Sequence, residues 1–66
     1  MSLSFQKVYE QLLLKPPEKI GSKISSAFWN GFSQQRKPAY IPYKTAAYAA
    51  WKAGKEYKRR KENENS

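Results

Sequence analysis

Apolar side chains recur along the chain at the three- and four-residue intervals typical of amphipathic helices. The apolar positions of the first stretch are Phe5, Val8, Tyr9 and Leu12. They share about a third of a helical wheel, which predicts a helix over about residues 3–14 with Ser2 or Ser4 as its N-cap. Pro16 and Pro17 cannot donate backbone hydrogen bonds, so this helix is expected to end before them.

A second apolar stripe is spaced for another helix. Its members are Ile20, Ile24, Ala27, Phe28 and Gly31. Because they recur on one side of a wheel, they predict a helix over about residues 18–35 that faces a core. The start of this helix stays open: it can begin at Pro17, or after Gly21 with Ser22 as the N-cap. Trp29 falls on the opposite side of the same wheel.

The third predicted helix is rich in alanine, the residue with the strongest helix propensity, and spans about residues 44–61 with Thr45 near its start. A connector with two prolines, residues 36–43, precedes it and is expected to be ordered and extended. Residues 62–66 are polar and are predicted to form a disordered tail.

No stretch alternates apolar and polar residues over the length of a strand, so the sequence predicts an all-α fold. The second and third helices are expected to form a helical hairpin that the short first helix covers. Residues 1–61 then make up one small domain.

Composition excludes several kinds of site. The 66 residues include no cysteine and no histidine, which excludes disulfides and the usual zinc ligand sets. The five carboxylates are scattered, and no glycine-rich phosphate loop follows a strand. We therefore expect neither an enzyme nor a metal or other cofactor.

The charge balance points to an anionic partner. Thirteen lysines and arginines against five acidic residues give a net charge of +8, which favours nucleic acid or an acidic protein. No apolar run approaches the ~20 residues of a membrane span. A membrane-surface role is the weakest alternative because the apolar arc of the third helix is mostly alanine. We expect a cytoplasmic protein, either a monomer or a weak dimer.

Basic residues on the third helix and its connector form the candidate binding surface. On a wheel, Lys44, Lys52, Lys55 and Arg59 lie on one arc, with Tyr48 among them. The candidate nucleic-acid-binding residues are Arg36, Lys37, Lys44, Tyr48, Lys52, Lys55, Lys58, Arg59 and Arg60. Cations at this density neutralise phosphates. The alternative is a solvated helix face whose lysines suit the C-terminal end of the helix dipole.

Aromatic residues beside this surface are candidates for stacking on unpaired bases. Tyr48 is the favoured ring, because the wheel places it among the lysines as an exposed side chain. Trp29, Tyr40 and Tyr43 are further candidates. In a domain this small, however, Tyr40 and Tyr43 are expected to be half-buried rings with the hydroxyl in water, and stacking is the alternative.

An imperfect repeat links the second and third helices. The pattern Ala-aromatic-x-x-Gly occurs at residues 27–31 and again at residues 50–54. Alanine and glycine four residues apart allow two helix backbones to approach closely, with Phe28 and Trp51 wedged beside the contact. The repeat is first of all a packing signal.

These motifs also resemble a known family. The segment from Ala27 to Tyr57, with AFWNGF at 27–32, PY at 42–43 and AYAAWKAG at 47–54, resembles the ribosome modulation factor family of small basic bacterial proteins. The resemblance implies two short helices joined by a connector that ends in Pro-Tyr, and binding to ribosomal RNA of the small subunit with translation silenced. The first twenty or so residues have no counterpart in that pattern, and Lys55 stands where the family tends to have an aromatic residue.

The leading expectation is therefore an RNA-binding, ribosome-associated modulator of translation. One alternative is a protein-interaction module, for example of phage origin, that lays its basic helix on an acidic host protein. A small DNA-binding protein is less favoured, because no helix-turn-helix spacing or base-reading cluster is visible.

Overall fold

The computed structural model describes residues 5–19, 21–34 and 36–64, which form three helices. They are α1, Phe5–Leu14, α2, Lys23–Ser33, and α3, Ala46–Glu64. These described residues contain no strand, so the predicted all-α, three-helix fold is confirmed. The expected start of α1 at residue 3, its caps Ser2 and Ser4, the core position Ile20 and the end of α2 at residue 35 lie outside the described residues.

Hydroxyl caps fix the starts of α2 and α3. The Ser25 backbone N–H donates to Ser22 Oγ at 3.2 Å, which makes Ser22 the N-cap and settles the start of α2. At α3, the Tyr48 backbone N–H donates to Thr45 Oγ1 at 3.2 Å, and the Thr45 hydroxyl donates to the Pro42 carbonyl at 2.9 Å. Thr45 therefore caps α3, which begins at Ala46, two residues after the predicted start at residue 44.

The third helix is longer than predicted. It continues through residues 62–64, which the sequence assigned to a disordered tail. No glycine or proline follows Lys61, and Glu62 and Glu64 are good helix formers, so nothing local ends the helix at residue 61. The last two residues of the predicted tail, 65 and 66, lie outside the described part of the chain.

Helices α2 and α3 touch backbone to backbone at two glycines. A Cβ at Gly31 would overlap the Trp51 carbonyl oxygen and lie 2.9 Å from the carbonyl carbon. A Cβ at Gly54 would meet the Phe28 carbonyl in the same way, again 2.9 Å from the carbon. Each glycine therefore packs on the aromatic residue of the other motif, which confirms the close contact that the repeat predicts.

The connector folds back along this helix pair. The starts of α2 and α3 lie together, since Ile24 and Ala46 line one groove, while later in the helices the rings of Phe32 and Tyr57 are 5.8 Å apart. The chain between the helices must therefore return along them. Helices α2 and α3 thus run in the same direction and do not form the hairpin that the sequence predicted. Ile41, only 1% exposed, anchors it to the core.

Helix α1 packs on α3. The rings of Phe5 and Tyr48 are 5.8 Å apart, and Val8 is buried. The first helix therefore packs mainly on α3, whereas the sequence predicted that it would cover both α2 and α3. Between α1 and the start of α2 an open apolar groove of about 560 Å³ remains, and Ala46 lies in its lining. Ala46 and Lys55 are about two and a half turns apart, so this groove and Lys55 are on opposite sides of α3.

Candidate nucleic-acid interface

One side of α3 carries four cations that we call the cationic face. Its members are Lys52, Lys55, Lys58 and Arg59. At 100° per residue they span about a third of the helix circumference, and all but the half-buried Lys58 are exposed. The packing of α1 and α2 on α3 leaves this side open, so the cations can reach a partner together.

Lysines on α3 are paired with aromatic rings one turn earlier. The ammonium of Lys52 is 5.8 Å from the centroid of Tyr48, that of Lys55 is 4.8 Å from Trp51, and that of Lys61 is 5.5 Å from Tyr57. Residues four positions apart are neighbours on a helix, and rings attract cations. The spacing aromatic-x-x-x-Lys is visible in the sequence and is the signal that could have identified this arrangement.

The carboxylate of Glu56 binds both arginines that follow it. Arg59 donates to it from Nε and Nη2 at 3.0 and 2.7 Å, and Arg60 donates from Nε at 3.1 Å. The hydrogen bonds from Arg59 are the main cause that lowers the pKa of Glu56, and the same contact raises the pKa of Arg59. Glu56, Arg59 and Arg60 together therefore contribute a net charge of +1 to the surface of α3.

Arg60 lies on the α1 side of α3. It lines a small depression with Leu13 and Pro16, and its charge, like that of Arg59, acts on the phenol of Tyr9. The pKa of Tyr9 is raised, first by burial and then by the nearby carboxylate of Glu56. Arg60 therefore belongs to the contact between α1 and α3 and is not part of the cationic face.

Two predicted lysines are not on the cationic face. Lys44 precedes α3, in the turn before Thr45, with a φ of 64°; its place on the helical arc was wrong because the helix starts later than the wheel assumed. The ammonium of Lys37 donates to the carbonyls of Pro38, at 3.1 Å, and Ile41, so it holds the connector together. Arg36 is exposed in the connector.

The exposure of the tyrosines is the reverse of the prediction. Tyr48 is half-buried, with its ring centroid 5.0 Å from that of Tyr43 and 6.1 Å from that of Trp51. Tyr40 and Tyr43, expected to be half-buried, are each 68% exposed. The wheel placed Tyr48 correctly among the lysines, but it could not include the rings that α1 and the connector bring to it.

Trp29 is held inside the fold. Its indole Nε1–H donates to the Pro17 carbonyl at 2.9 Å, and its ring centroid lies 5.3 Å from that of Phe32 and 6.3 Å from that of Tyr57. These contacts tie the chain before α2 to the helix pair. These contacts explain why an aromatic residue stands on the side of α2 opposite the apolar stripe.

A shallow groove of about 320 Å³ borders the cationic face where Gly31 meets α3. Lys55, Lys58 and Arg59 line it, together with Glu62 and Asn63. Its cations suit the oxygens of a phosphate group. Within the described ranges, no three histidine, cysteine, aspartate or glutamate side chains are grouped so that they could hold a metal ion.

Comparison of the chain with protein-family models, with curated proteins and with solved structures finds no match. Among the described helices, none has both the length and the apolar character needed to cross a membrane.

Proposed function

We propose that this protein binds RNA through the cationic face of α3 and acts as a ribosome-associated modulator of translation, without catalysis of its own. The observation that carries the proposal is the placement of Lys52, Lys55, Lys58 and Arg59 on one open side of a single helix. Neutralisation of phosphates with release of counterions supplies most of the sequence-independent affinity for nucleic acid.

The spacing of the cations suits the phosphodiester backbone of RNA. Lys52 and Arg59 are about 10 Å apart along the helix axis, so the face offers several cations in a row. Rings under Lys52 and Lys55 restrict the positions of the two ammonium groups. Cations that are restricted before binding lose less freedom when the partner arrives.

The ribosome as partner rests on the resemblance to the ribosome modulation factor family. The glycines of its two helical motifs, Gly31 and Gly54, lie at the crossing of α2 and α3, so these motifs account for the helix pair. Recognition of the target is then left to the side chains around the pair, among which the cationic face is the largest group of like charge on α3.

Co-sedimentation with small ribosomal subunits at physiological salt tests this proposal. The wild-type protein should sediment with the subunits, and Lys52→Glu combined with Lys55→Glu should abolish this. The two lysines are chosen because Arg59 also binds Glu56. The matched control is Lys7→Glu combined with Lys15→Glu, which reverses two exposed charges in and directly after α1 and should leave sedimentation unchanged.

Circular dichroism should give the same helix content for all three proteins. Absence of the wild-type protein from the subunit fractions would contradict the ribosomal role. An equal loss of co-sedimentation in both double variants would show that net charge, and not the cationic face, determines binding. If the wild-type protein did not bind RNA but bound an acidic protein through the same lysines, the result would contradict RNA binding and identify a protein-interaction module.

A further inference from the structure

The connector presents an exposed ring next to the cationic face. Tyr43 is 68% exposed, and its ring meets that of Tyr48 nearly edge-on, with the centroids 5.0 Å apart. Tyr48 in turn has the ammonium of Lys52 5.8 Å from its centroid. A continuous path of contacts therefore runs from the open ring of Tyr43 to the first cation of the face.

Lys37 fixes this ring from the protein side. Its ammonium lies 4.5 Å from the centroid of Tyr43 and also donates to the carbonyls of Pro38 and Ile41. Because Ile41 is buried in the core, the cation is anchored to the fold. The attraction between the ammonium and the ring holds Tyr43 in place before any ligand binds.

We propose that Tyr43 is a stacking platform for an unpaired base, so that the RNA bound by the cationic face carries an unpaired nucleotide beside the contacted phosphates. Cations alone bind any nucleic acid. An open aromatic ring adds selectivity, because only bases that are free of their own stack can lie on it. This inference rests on the proposed RNA binding and specifies its ligand.

Tyr40 provides a matched control. It is also 68% exposed and lies in the same connector. Its surroundings differ, since it lines a separate depression of about 520 Å³ with Ser22, Lys23 and Ser26 at the start of α2. Replacement of either tyrosine removes one exposed phenol, but of the two only Tyr43 is in ring contact with Tyr48, whose ring lies beside the ammonium of Lys52.

The test compares two RNA probes with the same number of phosphates: a hairpin with an unpaired loop and a fully paired duplex. Affinities are measured by fluorescence anisotropy at one fixed salt concentration. The wild-type protein should prefer the looped hairpin by about tenfold, near the lower end of the range for one stacked base. Tyr43→Ala should abolish the preference and leave duplex affinity unchanged, whereas Tyr43→Phe and Tyr40→Ala should retain it.

The outcomes separate this inference from the function on which it rests. Binding of neither probe by the wild-type protein would overturn the proposed RNA binding itself. Equal binding of both probes, or a preference that survives Tyr43→Ala, would overturn the stacking platform and leave phosphate binding standing. Thermal unfolding of each variant shows whether it is folded, and loss of the preference in Tyr43→Phe as well would overturn stacking in favour of a role for the hydroxyl.

Discussion

Two glycines determine how closely α2 and α3 approach. Gly31 and Gly54 each face a carbonyl of the other helix, at Trp51 and Phe28, with no room for a methyl group. Trp51 is further held by its indole Nε1–H, which donates to Asn30 Oδ1 at 3.2 Å. A chain of 66 residues buries a limited core, so a change that separates these two helices is expected to be felt in its stability.

Gly31→Ala should therefore destabilise the protein. The new methyl group would overlap the Trp51 carbonyl, and the helices must separate to admit it, at a cost of about 1–3 kcal/mol from overpacking. Urea denaturation measures the change in the free energy of unfolding. Ser33→Ala, at an exposed position of the same helix, is the control and should change stability little; wild-type stability in Gly31→Ala would contradict the close backbone contact.

The carboxylate of Glu56 makes stability depend on pH. Its hydrogen bonds to Arg59 lower its pKa in the folded protein, so the unfolded chain binds the proton more tightly. The stabilisation is fully present above the ordinary glutamate pKa of about 4.3 and is lost as the pH falls through the lowered value. The contribution of this ion pair should thus disappear in acid.

Glu56→Gln tests this dependence. The melting temperature of the wild-type protein should exceed that of the variant near pH 7, and the difference should shrink as the pH falls below about 4. Thermal unfolding at a series of pH values measures it. Glu10→Gln, where the carboxylate accepts from the neutral amide of Gln6, is the control; curves for wild type and Glu56→Gln that stay parallel down to pH 3 would contradict the role of the ion pair.

At the scale of the helix, α3 divides its surface between packing and charge. A helical wheel drawn from the sequence predicted this division and placed Lys52, Lys55 and Arg59 together, because helical periodicity is a local property. It misplaced Lys44, since the start of α3 depends on the cap at Thr45. It also misjudged the exposure of Tyr48, since Phe5 reaches that ring from a distant part of the sequence.

The connector shows the same limit of local patterns. Its prolines predicted an extended, ordered segment. The burial of Ile41 agrees with an ordered segment, but the Ile41 N–H donates to the Pro38 carbonyl at 3.2 Å, so the connector turns there and is not extended throughout. Nothing in the local sequence tells which of its side chains points inward. That choice depends on the groove between α2 and α3, which buries Ile41, leaves Tyr40 and Tyr43 exposed and turns the ammonium of Lys37 onto backbone carbonyls.

For the whole molecule, the proposal makes charge the source of affinity. A net charge of +8 attracts polyanions at long range, and under the proposed function the cationic face would supply the short-range contacts. The apolar groove beside α1 lies on the opposite side of α3 from Lys55. Neutralisation of phosphates by the cationic face is what the proposed function requires.

The salt dependence of RNA affinity shows whether the cationic face neutralises phosphates. The looped hairpin RNA is titrated with the wild-type protein over a series of salt concentrations, and log affinity is plotted against log salt. Four phosphates neutralised by the cationic face should give a slope of about −3, from ~0.7 per contact for single strands. A slope near zero would contradict phosphate binding by α3.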